Sequence, residues 1–387
     1  MKRIYLDYAA TTPTHPDVVS AMLPYFTRDF GNPSSVHACG QEAKEAVEEA
    51  RSKLAALLRA KESEIVFTSG GTEADNAALK GIAIANKEKG NHIITTPIEH
   101  HAITETCKFL KTQGFDITIL PVDEYGMIDP ADVKKAITKK TLLVSVMHAN
   151  NEIGTIVPIA EIGKIAHEAG VYFHTDAVQT VGHIPIDVHK MNIDLLSTSA
   201  HKLYGPKGVG ALFIKEGTKL IPFIHGGEQE EGRRASTHNV PGIVGFGKAC
   251  ELASEEMAEE ASRIMKLRNR LIAGLMERLD GIKLNGHPEK RLPNNVNITV
   301  GFVEGEASCM ALDFEGVCVS TGSACSSESA EPSHVLLAIG LRPEEARSAL
   351  RFTLGKWTTD EEIERTIEIV PRIIKKLRAV SPLYKGG

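Results

Sequence analysis

Two rhythms of apolar residues alternate along this chain. Short runs rich in β-branched residues predict buried strands at 64–68, 92–96, 117–122, 141–146, 171–176 and 208–214, with a shorter one at 197–199. Between them lie stretches of helical periodicity. Ala43, Ala46, Val47, Ala50, Leu54, Leu57 and Leu58 form one apolar stripe with charges between. Further helices are predicted from Thr72, over 159–169 with Gly170 as the cap beyond, and over 248–281, a long helix placed to link two units. Strand and helix alternating in this way predict an α/β fold, a mostly parallel sheet with helices on both faces. The last third changes character, with strands at 295–300 and 350–354 and a helix over 360–380 that Pro371 should kink or divide. It predicts a smaller α+β unit. The segment up to Pro16 has few helix signals and predicts an extended arm.

Composition narrows the class. The chain has 387 residues, more than one core usually serves, so two domains are expected. A net charge of -6 argues against a nucleic-acid or acidic-membrane surface, and no apolar run is long enough to span a bilayer. The six cysteines, at 39, 107, 250, 309, 318 and 325, show no paired zinc spacing. With no apolar signal region after Met1, they suggest a reducing cytoplasm and no metal site.

The candidate chemistry gathers at strand ends. Asp176 ends the run Tyr172-Phe173-His174-Thr175, and Lys202 follows Ser197-Thr198-Ser199-Ala200-His201. Ligands of open parallel sheets bind beyond the carboxyl ends of the strands. An acid and a lysine there suit pyridoxal phosphate, the lysine forming the Schiff base and the acid pairing with the ring nitrogen. Alone, Asp176 is equally a helix cap and Lys202 a solvated lysine. Ser199, His201 and the turn Gly205-Pro206-Lys207-Gly208 favour the phosphate-bearing pocket; Lys207 is the weaker rival lysine. Ser69-Gly70-Gly71-Thr72 opens a helix and offers an anion site, although Thr72 with Asp75 is also a capping pattern. His100 and His101 start another helix, and as helical neighbours they should not both face one pocket. Asn151 lies in a polar loop at a strand end, where binding residues and plain turn residues both occur. Cys325 sits among small polar residues, in Ser320-Thr321-Gly322-Ser323-Ala324-Cys325-Ser326-Ser327. It is an exposed, functional thiol or an incidental one. The other cysteines are expected to be structural, with Cys39 unplaced. Arg351 alternates with apolar neighbours and either points to solvent or offers its planar fork to a carboxylate.

The ordered set Tyr5-Leu6-Asp7-Tyr8-Ala9-Ala10-Thr11-Thr12-Pro13, His174-Thr175-Asp176-Ala177-Val178-Gln179, Ser199-Ala200-His201-Lys202, Ser320-Thr321-Gly322-Ser323-Ala324-Cys325 and Arg351-Phe352-Thr353-Leu354-Gly355 resembles the cysteine desulfurases. These are fold-type I pyridoxal phosphate enzymes that supply sulfur for iron-sulfur clusters and thiolated cofactors. The resemblance spans nearly the whole chain. It implies a large cofactor-binding domain over 15–260 and a small domain made of 1–14 and 261–387 that carries the catalytic cysteine. It implies Lys202, Cys325 and His100 as catalytic residues, His100 stacking on the ring. Gly71, Thr72, Ser199 and His201 would hold the phosphate, Asp176 the pyridine nitrogen, Gln179 the ring hydroxyl, and Asn151 both cofactor and substrate. Arg351 would grip the substrate carboxylate. Thr237 would reach the phosphate of a partner subunit in a homodimer, although Ser236 stands where the family commonly has glycine and His238 follows. L-cysteine is the implied substrate. The implied acceptor is an iron-sulfur scaffold or a tRNA-thiolation protein; Cys325 is the one candidate cluster ligand, in a scaffold complex. The other readings are a selenocysteine lyase or cysteine-sulfinate enzyme that need not use Cys325, and a non-catalytic sulfur-relay scaffold.

Overall fold

The computed structural model describes residues 3–321, 331–381 and 384. Its strands are β1 (Ile4–Tyr5), β2 (Ile65–Thr68), β3 (His92–Thr95), β4 (Asp116–Ile119), β5 (Thr141–Ser145), β6 (Tyr172–Asp176), β7 (Leu195–Ser199), β8 (Gly210–Ile214), β9 (Ile282–Leu284), β10 (Asn295–Val300), β11 (Val317–Cys318) and β12 (Ala349–Thr353). Seven of them form one sheet in the order β2-β8-β7-β6-β5-β3-β4, parallel except where β8 runs against both β2 and β7.

Successive residues of the inner strands enter opposite faces, both covered by helices, which is why apolar residues there are not confined to alternate positions. Ile93, Leu143, Leu195 and Leu212 join the helices Gly71–Ala85 and His101–Thr112 on one side. Ile94, Val144, Leu196 and Phe213 join Ala38–Leu58, Ile159–Glu168 and the start of Val240–Arg278 on the other. A separate core gathers Ile4, Leu6, Leu271, Ile298, Phe352 and Ile374 around the antiparallel sheet β12-β10-β9 and the short parallel pair β1-β11. The fold is therefore the doubly covered α/β sheet with a smaller α+β unit that the pattern predicts.

Two expectations about helices need correction. The long helix begins at Val240, eight residues before the predicted start. Asn239 caps it by accepting the Gly242 N–H, and Pro241 fits the first turn, where its missing N–H is not needed. The glycines that hid this start are packing residues: a Cβ on Gly247 would lie 2.6 Å from Ala50 of the neighbouring helix. The helix then serves both cores, through Phe246 in the first and Leu271 in the second. The second correction is that Pro371 does not divide Asp360–Val380, which continues through it as one helix. An interior proline costs about 3 kcal/mol, whereas burying Ile363, Ile367, Val370 and Ile374 gains roughly 1.5–3 kcal/mol each. Packing therefore outweighs the proline.

Candidate active site

A cavity of about 390 Å³ opens at the carboxyl edge of the large sheet, between it and the smaller unit. Parallel strands deliver polar residues there as they end. Asp176 is the last residue of β6 and Ser199 the last of β7, and Lys202 closes the single turn that follows. Gly71 and Thr72 begin a helix, so unpaired backbone N–H groups and the positive end of the helix dipole face the same space. His100, Asn151, Gln179, His201 and Arg351 complete the wall, so every predicted site residue among those described, except Thr237, lines this cavity.

The N-terminal arm holds the site from above. Lys202 Nζ donates to the carbonyl oxygens of Ala9 and Ala10 at 2.5 and 2.8 Å, and Gln179 Nε2 donates to Ala9 at 3.1 Å. His201 Nδ1 meets Thr11 Oγ1 at 3.1 Å; burial, with Lys202 nearby, lowers its pKa to about 4. Arg351 is 2% exposed, which rules out the solvent-facing reading. Its guanidinium donates to Asp7 Oδ1 at 2.9 Å and to the Asn151 carbonyl at 3.1 Å.

Carboxyl groups under the cavity are buried but unequal. Asp176 accepts the Val178 N–H at 2.9 Å; burial raises its pKa, and His100 and Lys202 oppose that rise. Asp75 is raised well above the usual range, by burial first and by Asp176 second. Burial pushes Glu99 up to about 8. Neither Asp75 Oδ1 nor Glu99 Oε2 has a hydrogen-bond partner among the described residues. His174, bonded to Ser145 and Ser197, is lowered to about 3 by burial and stays neutral.

His100 and His101 both line the cavity, contrary to the expectation that they diverge. His100 is the N-cap with extended backbone and the helix starts only at His101, so helical spacing does not apply. Thr237 is exposed and lies outside its own chain's cavity. Its segment is tied down nearby: Glu230 is buried against Arg51 at 2.8 Å and meets His238 Nε2 at 2.5 Å. Ser236 adopts φ +90°, a conformation that favours the glycine this sequence lacks. Cys325 lies outside the described residues. Cys39 falls in the helix Ala38–Leu58 and is exposed. Sequence reasoning missed Asp7, Asp75, Glu99 and His334, which owe their place in the site to burial and long-range contacts.

The donor set fits pyridoxal phosphate group for group. A helix start with Thr72, Ser199 and His201 suits the phosphate, and a buried carboxylate suits the pyridine nitrogen. Gln179 suits the ring hydroxyl, His100 the ring face and Lys202 the aldehyde. A Cβ on Gly71 would lie 2.7 Å from Val178 Cγ2, so this approach has no room for a larger residue. Fold and cavity together define a fold-type I pyridoxal phosphate enzyme.

Comparison with known proteins places it further. The aminotransferase class-V family model matches residues 4–366. Proteins named cysteine desulfurase IscS are similar from end to end. The one from Dictyoglomus turgidum is 57% identical, covering 100% of this chain and 98% of the relative. The one from Methanosarcina thermophila is 56% identical, covering 99% and 94%. Among solved structures, a NifS-like protein superposes with a TM-score of 0.91 at 39% identity, covering 97% of this chain and 100% of that one. The chain belongs to the class-V aminotransferase family and, within it, to the cysteine desulfurases.

Proposed function

We propose that this protein takes sulfur from L-cysteine, leaves L-alanine, and passes the sulfur as a persulfide on Cys325 to an acceptor protein, an iron-sulfur scaffold in the first place. The observation that carries the reading is the delivery of Arg351, from the smaller sheet, into the cavity that holds Lys202 and Asp176. An amino-acid carboxylate held there would leave the rest of the substrate in the space that Lys202 also lines. Lys202 is the attachment residue, with Gly71, Thr72, Ser199, His201, Asp176, Gln179 and Asn151 holding the cofactor. When bound, pyridoxal phosphate supplies an electron-withdrawing ring that stabilises negative charge on the substrate carbons.

The residues divide the remaining work. Arg351 orients the carboxylate through parallel charge-assisted bonds. The Lys202 amine takes and returns the α-proton. Cys325, as thiolate, attacks the substrate sulfur: an S–S bond forms, the C–S bond breaks, and its electron pair stays on carbon, which protons then convert to alanine. The described residues on either side of Cys325 reach this cavity region, since Ser320 pairs with Arg351 and His334 lines the wall.

The exposed Thr237 supports a homodimer in which it meets the partner's cofactor phosphate. The free thiols Cys39, Cys107, Cys250, Cys309 and Cys318 support a reducing, cytoplasmic setting. No helix among the described residues is long and apolar enough to cross a membrane. The two cores support division into 15–260 and 1–14 with 261–387.

The test is to supply wild type and Cys325→Ala with cofactor, L-cysteine and a thiol reductant, and to measure alanine and sulfide together. Equal yields from wild type and neither from the variant are expected. Full activity in the variant would remove Cys325 as sulfur acceptor and make the protein a lyase.

A further inference from the structure

A thiol must lose its proton before sulfur can move, because the thiolate is the nucleophile. Four imidazoles line the cavity. His201, already engaged by Thr11 and lowered to about 4 by burial, is too weak a base, which leaves His100, His101 and His334 to receive that proton. Hydrogen bonds separate their roles. Nδ1 of His100 accepts the Ala102 N–H at 3.1 Å, so the neutral ring carries its one hydrogen on Nε2 and has no lone pair left. Burial lowers its pKa and keeps it neutral. His100 is therefore a donor.

His334 has the opposite arrangement. Its Nε2 lies 2.9 Å from the carbonyl oxygen of Glu99, which can only accept. Nε2 must carry the hydrogen, leaving the lone pair on Nδ1. The ring is held in place from both sides. Ser333, immediately before it, donates to Glu152 Oε2 at 2.6 Å and accepts the Leu336 N–H at 3.2 Å. Glu99 is fixed in turn by Thr96 and by the Met147 N–H. The His101 ring lies against His334, centroids 4.7 Å apart, and no hydrogen bond among the described residues fixes its tautomer.

We propose that His334 Nδ1 is the proton acceptor that ionises a thiol in this cavity, an assignment that rests on the desulfurase reading above. The S–H bond breaks, the proton passes to Nδ1, and the electron pair stays on sulfur. The imidazolium that forms is stabilised through Nε2–H, because its bond to the Glu99 carbonyl becomes charge-assisted. The thiol is that of Cys325 or of bound L-cysteine, and two readouts separate them.

The experiment compares holoenzyme carrying His334→Gln, His334→Ala or His101→Gln with wild type. Glutamine can still donate to the Glu99 carbonyl but has no basic nitrogen. The two rates measured are single-turnover alanine formation and, without substrate, alkylation of Cys325 by iodoacetamide read by peptide mass. Loss of a general base predicts about a 100-fold slower turnover in both His334 variants, a larger loss than in His101→Gln. If Cys325 alkylation slows as well, Cys325 is the thiol; if only turnover slows, it is the substrate's. The proposal is overturned if neither rate changes in His334→Gln, if glutamine restores what alanine loses, or if His101→Gln is equally impaired. Failure of the desulfurase reading itself would appear separately, as absence of alanine from wild type.

Discussion

Glu99→Gln tests the electrostatics of the buried floor. Glu99 is 1% exposed; Oε1 accepts from Thr96 Oγ1 at 2.7 Å and from the Met147 N–H at 3.0 Å, and Oε2 has no partner. Burial lifts its pKa from 4.5 to about 8. In the unfolded chain the carboxyl loses its proton near 4.5, while the folded protein keeps it until about 8. Between those values the unfolded state binds fewer protons, so rising pH destabilises the fold by about 1.4 kcal/mol per pH unit through this group. From pH 5.5 to 8 that amounts to about 3 kcal/mol, as an order of magnitude. Glutamine keeps the accepting oxygen and removes the titration. Its buried NH₂ adds a cost of about 1–3 kcal/mol that does not vary with pH. Urea unfolding of both holoenzymes at pH 5.5 and pH 8 reads the difference, because the other groups titrate in both proteins and cancel. The variant should be the less stable at pH 5.5 and should recover about 3 kcal/mol relative to wild type by pH 8. Parallel pH dependences would refute a protonated Glu99.

Arg351→Lys keeps the charge and loses the fork; one charge-assisted bond of about 1.5–3 kcal/mol predicts a KM for cysteine raised roughly 10- to 150-fold, with kcat changed far less. Steady-state alanine formation checks this, and an unchanged KM would take Arg351 out of the substrate site. Ser236→Gly should be tolerated and raise stability by up to about 1 kcal/mol, since a left-handed backbone penalises any side chain. A lower urea midpoint would mean that the serine side chain makes up for its strain.

Lys202, Asp176 and Ser199 were legible in the sequence because strand periodicity places them at strand ends, and strand ends of a parallel sheet share one edge. Arg351 was half legible. Its strand was readable, but alternation gives two faces and does not say which one is covered. Asp75 and Glu99 were not legible as functional residues. Their raised pKa comes from burial under elements distant in sequence, and nothing in the local pattern carries that. His334 was hidden for the same reason, its tautomer being set by a carbonyl 235 residues away. The start of the long helix was lost because Gly242, Gly245 and Gly247 resemble breakers until the cap residue Asn239, Met22 and Ala50, each lying against one of them, explain them as close-packing positions.

The arm explains how residues from two separate cores can act on one small molecule. Leu6 is buried in the smaller core, and the next residue, Asp7, holds Arg351. Ala9 and Ala10 hold Lys202, and Thr12 Oγ1 donates to the His201 carbonyl at 2.9 Å. A few consecutive residues thus contact both the group proposed to grip the carboxylate and the group proposed to move the proton. Misplacing reacting groups by about 1 Å can cost about 100-fold in rate, so spacing set by one short backbone segment is less open to drift than spacing set by two units meeting through side chains alone. The same economy makes Asp7 a competitor: a substrate carboxylate must share or take the Arg351 fork that Asp7 occupies. Because Asp7 is partly exposed, its carboxylate can be resolvated when displaced, which keeps that exchange inexpensive.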